Sequence, residues 1–198
     1  MFITSTGFKR LINDAYKGVG LKIGNDGTGY YLAGGYWAMW IEKGCIPKKE
    51  LGAIIELTGE LPEAGSGFQA TKSGNQYEMQ DNQFYRVMEN ASQCEDVLEV
   101  TPVILEQTYE QARILQDPKN LTITLINEKF IKMIDNTVVQ YQDGEIQAEG
   151  PLICGKMQGV FWRNNVMALH VFPRKDEGNK VLLGYLENFH IMAEDDEH

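Results

Sequence analysis

Apolar residues recur at helical spacing in two segments within the first sixty residues. The first segment, residues 5–17, is expected to begin at a Ser5 or Thr6 cap, and the second covers residues 47–59. Their apolar stripes are Phe8, Leu11, Ile12 and Ala15 in the first and Leu51, Ile54 and Ile55 in the second. Each stripe needs a surface to cover, so the pattern predicts two helices lying side by side on a sheet.

Strand patterns surround these two helices. The stretch LKIGNDGTGYYLAGGYWAMWIEKGC, residues 21–45, predicts three strands, with NDG as a strong turn signal and AGG as a weaker one. Residues 67–89, GFQATKSGNQYEMQDNQFYRVME, are also predicted as strands, with SGN as a hairpin turn. The order in the first ninety residues is therefore a short strand, a helix, three strands, a helix and two or three strands.

The second half is richer in strand patterns. Residues 98–118, LEVTPVILEQTYEQARILQDP, fit a strand followed by a helix that starts at Thr101, and they fit a pair of strands almost as well. EKFIKMIDNTV is the one helical candidate there, although its β-branched residues count against it. Strand patterns occur in LTITLIN, in KFIKMID within that same candidate, and in TVVQYQ, EIQAEG, VFW, VMALHVF and KVLLGYL, with turns at QDG, RNN and DEGN. The sequence thus predicts an α+β protein that is mostly β in its second half.

Charge is unevenly distributed along the 198 residues, a length that allows one large domain or two small ones. The net charge of −10 argues against general affinity for nucleic acid or acidic membranes. Residues 1–49 nevertheless hold seven basic and three acidic side chains, whereas the rest holds 11 basic and 25 acidic ones. An acidic body with a basic N-terminal region is the expectation.

The three cysteines, Cys45, Cys94 and Cys154, form no CxxC pair, and their odd number favours a reduced, cytoplasmic protein. The N-terminal MFITSTGFKR lacks the features of a signal peptide, and no apolar run approaches the roughly 20 residues of a membrane helix. The tail AEDDEH is expected to be a solvated end. No membrane partner is predicted.

Motifs that carry catalysis are missing from the sequence. It contains no HExxH, no GxSxG and no GxxxxGK[ST], and hairpin turns account for the glycines of GNDGTGYYLAGG. His170 lies in a predicted strand and is expected to be a packed or half-exposed residue rather than a metal ligand. We therefore predict no catalytic residue, no metal and no cofactor.

Aromatic residues cluster in YYLAGGYWAMW, at Tyr30, Tyr31, Tyr36, Trp37 and Trp40. Strand alternation places bulky side chains on both faces of the sheet. Such a cluster is typical of a sheet core that also contributes to a subunit contact. A platform on which sugars or bases stack is the alternative.

Two stretches resemble the DNA sliding clamps, and most of all the bacterial polymerase III beta subunit. MFITSTGFKRLINDAYKG is similar to that family's opening strand and first helix, and IPKKELGAIIELTGELPEAGSGFQATKSGNQYEMQ to its second helix and following strands. The resemblance covers residues 1 to about 90. It implies a clamp-like domain at 1–93, with two helices on curved antiparallel sheets, and a second β-rich domain at 94–198, either a diverged clamp domain or something else.

The resemblance also implies a function. Clamp domains join into rings whose helices face the enclosed DNA, so a non-catalytic processivity or tethering factor is expected. Its partners would be double-stranded DNA, replication or repair proteins that dock short peptides, and further copies of the chain. The implied DNA-facing residues are Lys9, Arg10, Lys17, Lys48 and Lys49. The alternatives are that these are ordinary solvated charges, and that the protein is a β-rich interaction or ligand-binding module of phage origin without a DNA role.

Overall fold

The computed structural model describes residues 1–77, 86–106, 110–135, 147–154 and 157–192. These residues form five α-helices and twelve strands, and all strand pairs are antiparallel, which confirms the α+β class. The helices are α1 (Ser5–Lys17), α2 (Lys48–Thr58), α3 (Val87–Ser92), α4 (Glu128–Met133) and α5 (Lys180–Leu186). The strands are β1 (Leu21–Asn25), β2 (Gly29–Ala33), β3 (Trp37–Glu42), β4 (Ser66–Thr71), β5 (Gly74–Gln76), β6 (Asp96–Val97), β7 (Glu99–Glu106), β8 (Gln111–Gln116), β9 (Ile123–Asn127), β10 (Glu149–Cys154), β11 (Met157–Arg163) and β12 (Met167–Val171).

Nine of the strands form one sheet, in the order β5-β4-β1-β2-β3-β12-β11-β10-β6, and β7, β8 and β9 form a second sheet. The first five strands of the large sheet come from residues 21–76, and the other four come from residues 96–171. The two blocks meet where β3 pairs with β12, for example at Met39 opposite Leu169. Pairing thus crosses the boundary expected at residues 93/94, and the division into two domains stays a prediction.

Helices cover both faces of the large sheet. On one face α1, α2 and α4 share a core with the sheet, to which they contribute Phe8, Ile54 and Phe130. Within this layer α1 contacts both α2 and α4. On the other face α3 packs against β3, β11 and β12 through Val87 and Ala91. The two predicted helices and their side-by-side packing on a sheet are confirmed, and α4 adds a third helix to the layer.

The predicted cap of α1 and the predicted phase of α2 are each wrong by about one position. Thr4, not Ser5 or Thr6, caps α1, because its hydroxyl accepts the Gly7 N–H at 3.2 Å. In α2, Ile54 is fully buried but Ile55 is 41% exposed. Thr58 is buried as its helical spacing from Leu51 and Ile54 predicts, and the buried line of α2 also includes Ala53 and Glu50. An apolar pattern cannot detect the buried carboxylate of Glu50.

For residues 98–118 the prediction of a pair of strands is correct and that of a strand followed by a helix is wrong, because β7 and β8 pair as antiparallel strands. Thr101 does not start a helix. Its hydroxyl is buried and donates to the Ile114 carbonyl at 2.9 Å, which ties β7 to β8. The helical candidate EKFIKMIDNTV forms α4 over its first six residues, while TVVQYQ and the QDG turn lie outside the described residues.

Two other strand predictions are wrong. KVLLGYL forms α5, preceded by a turn in which the Asp176 carboxylate accepts the Asn179 N–H at 3.2 Å. Residues 87–92, predicted in part as strand, form α3. Short apolar runs fit helix and strand patterns equally well, and neither run alternates polar and apolar residues.

The glycine-rich turn between β1 and β2 is held by Asp26. Its carboxylate accepts the N–H groups of Thr28 at 2.8 Å and Gly29 at 2.6 Å, and the Trp40 indole N–H at 3.3 Å. Burial raises the pKa of Asp26, but hydrogen bonds from Gly29, Thr28 and Tyr31 outweigh it, and the pKa is lowered. A Cβ on Gly29 would lie 2.3 Å from the Trp40 ring, so this glycine makes room for packing. The stretch is a hairpin turn, as predicted.

Candidate nucleic-acid interface

The outer surface of the helix layer carries the basic residues of α1. Its buried residues recur at positions 8, 11, 12 and 15, so Arg10 and Lys17 lie on the opposite, outward side. Both are exposed, and the Arg10 side chain retains 70% of its accessible surface. Lys9 is half-buried, about 100° around the helix from Arg10. The last-turn position of Lys17 also suits the negative end of the helix dipole.

Lys48 and Lys49 occupy the first turn of α2 and are exposed. The helix dipole disfavours lysines there by roughly 0.3–1 kcal/mol each. The acid that the dipole favours is the next residue, Glu50, which is only 3% exposed. The helix start therefore holds one buried carboxylate and two solvent-facing lysines.

A third helix adds cations that the sequence analysis missed. Lys132 of α4 has a side chain that is 63% exposed, and Lys129 lies three residues earlier on the same helix. The available signal was Asn127, whose side chain caps α4 by accepting the Lys129 N–H at 3.0 Å. The β-branched residues of this segment oppose a helix, and its cap favours one.

One acidic side chain reduces the positive charge on α1. Asp14 lies 3.9 Å from Arg10 Nε and 3.8 Å from Lys129 Nζ, measured to its Oδ2. Its side chain is half exposed, and ion pairs in such positions contribute about 0–1 kcal/mol. Asp14 therefore lowers the local charge by one without immobilising either cation.

Arg113 of β8 fastens α4 to the second sheet. Its guanidinium donates to both oxygens of Glu128, at 2.7 and 2.6 Å, and to the Thr101 carbonyl at 2.9 Å. These bonds lower the pKa of Glu128, despite its burial, and raise the pKa of Arg113. A bidentate pair of this kind fixes the orientation of the first turn of α4, and with it the direction of the α4 lysines.

The Arg113–Glu128 pair predicts a loss of stability in acid. Because the folded-state pKa of Glu128 lies below its usual 4.5, the pair stabilises the fold above that pH and is lost as pH falls through the folded value. The variant Arg113→Met/Glu128→Leu should lack this component. Wild type alone loses this stabilisation in acid. As the pH falls from about 5 to about 3, we therefore expect the difference in free energy of urea unfolding, variant minus wild type, to rise steadily in favour of the variant. A constant difference would mean that Glu128 does not titrate with unfolding.

The single variant Arg113→Met tests the same pair at neutral pH. It leaves the Glu128 carboxylate buried without its main partner, which typically costs about 3–5 kcal/mol. Losing less than 1 kcal/mol would show that Lys132, 3.7 Å from Glu128, replaces the arginine.

The three helices of the layer differ in charge from the rest of the chain. Together α1, α2 and α4 hold seven basic and four acidic residues, and two of the acids, Glu50 and Glu128, are buried. The remaining sequence holds 11 basic and 24 acidic residues. Because α1 and α2 pack on the same face of the sheet, the structure brings together the helices that carry all five predicted residues. Their contact with DNA stays a prediction.

The cysteines, His170 and the aromatic cluster were the other candidates for catalysis, metal binding or ligand stacking. Burial raises the pKa of the Cys94 thiol to about 12, which makes it a poor nucleophile at neutral pH. His170 is half-buried in β12 and stacks on Phe161 at 4.3 Å, as expected for a packed strand residue. Of the aromatic cluster, Tyr36 alone is exposed, at 74%, while the others belong to the sheet or its edges. Among described residues, no group of three His, Cys, Asp or Glu side chains could hold a metal.

No protein-family model, curated protein or solved structure matches this chain. None of the helices in the described ranges has the length and apolar character needed to cross a membrane.

Proposed function

We propose that this protein is a non-catalytic, cytoplasmic tethering factor that holds replication or repair proteins on double-stranded DNA in the manner of a sliding clamp. The observation that carries the proposal is the surplus of basic residues on the helix layer of an otherwise acidic protein. The resemblance of residues 1 to about 90 to clamp sequences supports the same conclusion.

Electrostatics explains why the charge is distributed in this way. DNA carries about one negative charge per 1.7 Å, so a chain with a net charge of −10 is repelled unless one surface is locally positive. Lysine and arginine side chains on helices attract phosphates without reading the base sequence. The acidic remainder then orients the protein, because only the helix layer can approach the duplex.

Sheet edges provide a route to a ring. In the described residues β5 and β6 are the outer strands of the large sheet, and open edges of this kind can pair with another chain. A closed homo-oligomer would enclose DNA between helix layers. The proposal therefore includes self-association as well as DNA contact.

A topological experiment tests the proposal. The protein is incubated with a nicked circular plasmid at low salt and passed over a sizing column at raised salt, where direct phosphate contacts are weakened. We expect protein to remain with the circle and to leave after a restriction enzyme linearises it. The same plasmid linearised before incubation is the matched control. Equal retention on both forms, or none on either, would refute the clamp-like role.

A module that binds proteins without a DNA role is the second candidate. The observation that favours it is a pair of exposed apolar surfaces that include none of the five predicted DNA-facing residues. Retention on neither DNA form, together with self-association of the chain, would support this candidate.

A further inference from the structure

Exposed apolar side chains are concentrated in two places. Twelve large apolar side chains are exposed among the described residues, and eight of them fall into two groups. The groove group is Val19, Tyr36 and Phe172, and the helix group is Val181, Leu182, Tyr185, Phe189 and Met192. Grouped exposure of this kind marks interaction surfaces, whereas single exposed apolar residues are ordinary.

The groove group lines one concave site. Val19, Tyr36 and Phe172 border a cavity of about 570 Å³ that is also lined by the aromatic rings of Trp37 and Phe130. This volume is in the usual range for a binding pocket, roughly 300–1,000 Å³. The site is open to solvent along walls that are largely aromatic or aliphatic, so it suits an apolar occupant.

The helix group has the opposite shape. α5 has no buried residue, and Val181 is 89% exposed. The segment is held to the protein by polar contacts: the Gln116 side chain donates to the Phe189 carbonyl and accepts the Ile191 N–H, both at 2.8 Å. Within α5 the half-buried residues are Leu183 and Leu186, which lie toward the protein. Val181, Leu182 and Tyr185 are exposed on the rest of the helix and form an apolar ridge on its outer side.

We propose that the apolar ridge of α5 in one copy of this chain docks into the Val19–Tyr36–Phe172 groove of a second copy. A convex apolar helix and a concave apolar groove are the two halves of a recurring recognition mode. In the same chain α5 is tied to β8 and β9 through Gln116 and Ile123, so the ridge is presented outward.

Charge supports a second copy as the occupant. Three cations, Lys129, Arg174 and Lys175, line the groove against two acids, Asp14 and Glu110, a surplus of one positive charge. The ridge is followed by acidic sequence: Glu187 ends α5, and four of the six residues after Met192 are acidic. An acidic partner segment and a weakly basic groove are complementary, and this chain contains both.

The contact joins two different surfaces, so it is heterologous. An open assembly has a free groove on one terminal copy and a free ridge on the other, so further copies can add until a ring closes or a filament forms. The proposal needs no DNA. The groove includes Asp14 and Lys129 of the helix layer, but neither surface includes any of the five predicted DNA-facing residues. Self-association that persists unchanged in both docking variants would refute the docking alone, because pairing of sheet edges could still build the ring. Self-association that responds to the variants as expected, in a protein that binds no DNA at low salt, would refute the DNA role alone.

Complementary variants test the docking. The ridge variant is Val181→Ser/Tyr185→Ser, and the groove variant is Val19→Ser/Tyr36→Ser; all four side chains are exposed, so both proteins should fold. In sedimentation velocity from 1 to 200 µM, we expect wild type to form species larger than one chain. Each variant alone should self-associate at least tenfold more weakly. Their equimolar mixture should form a two-chain species that grows no further, because one intact contact remains.

The control variant Ile55→Ser/Val100→Ser removes two exposed apolar side chains outside both surfaces and outside the edges of the large sheet, and it should behave as wild type. Circular dichroism checks that each variant is folded. Wild type that stays monomeric throughout, a groove variant that still dimerises, or a mixture that remains monomeric would each overturn the proposal. A groove variant that dimerises would indicate a ridge-to-ridge contact instead.

Discussion

Replacing Ile54 with Asp should lower the free energy of unfolding by about 4 kcal/mol or more. Ile54 is fully buried where α2 meets the core that it shares with α1 and the large sheet. The substitution removes apolar packing and places a carboxylate where no cation is available to pair with it, and each effect alone costs several kcal/mol. Urea unfolding followed by circular dichroism measures the loss, and a protein already unfolded in buffer is within the expectation.

The neighbouring residue supplies the matched control. Ile55→Asp makes the same chemical change one position later, where the side chain is 41% exposed, and should cost no more than about 1 kcal/mol. Because both variants introduce Asp into the same helix, helix propensity affects them equally. The ratio of their losses in free energy of unfolding therefore reports which side of α2 faces the core. Similar losses from both substitutions would mean that α2 is rotated from the orientation described here.

Elements with two agreeing signals could be predicted from the sequence. α1 combines a regular apolar stripe with a cap within one residue of the expected site and a terminating Gly18, and it occurs where predicted. Strands β1 to β3 combine short runs rich in aliphatic and aromatic residues with turn residues such as Asp26, and they also occur where predicted. In these segments local preference and tertiary packing favour the same structure.

Elements whose structure depends on distant partners could not be predicted. β8 is a strand because it lies between β7 and β9, and the sequence alone left it open between strand and helix. The apolar run of α5 is too short to distinguish the two, and its residues are not buried, so no core packing within the chain determines its period. α4 has a local cap at Asn127, but the orientation of its first turn depends on Arg113, fifteen residues from Glu128 in the sequence.

The candidate site shows the same division. Arg10 and Lys17 are seven residues apart, so helical spacing alone puts them on one face of α1 without tertiary information. Burial of Glu50 beside Lys48 and Lys49 could not be foreseen, because nothing local separates an exposed carboxylate from a buried one. The lysines of α4 join the layer only because α4 packs beside α1, a contact between residues more than a hundred positions apart.

Reversing the charge of Lys48 and Lys49 together should abolish DNA association while leaving the fold intact. Both side chains are exposed, and acids at a helix start are favourable by about 0.3–1 kcal/mol each, so the double variant Lys48→Glu/Lys49→Glu should be at least as stable as wild type. Binding to a short linear duplex should be sequence-independent, and its log–log salt dependence should lose about 0.9 for each phosphate contact removed. Fluorescence anisotropy at several salt concentrations measures both quantities.

The control Lys72→Glu/Lys180→Glu changes the net charge by the same amount at exposed positions outside the helix layer. If net charge alone governed association, both double variants would weaken it equally. If the helix layer faces DNA, the control should keep most of the affinity and nearly all of the salt slope, because the phosphates sense local rather than total charge at separations within the Debye length of about 10 Å. Unchanged binding in the Lys48/Lys49 variant would make these lysines ordinary solvated charges. The exposed ridge and groove would then be the main evidence for function, and they favour an interaction module over a clamp.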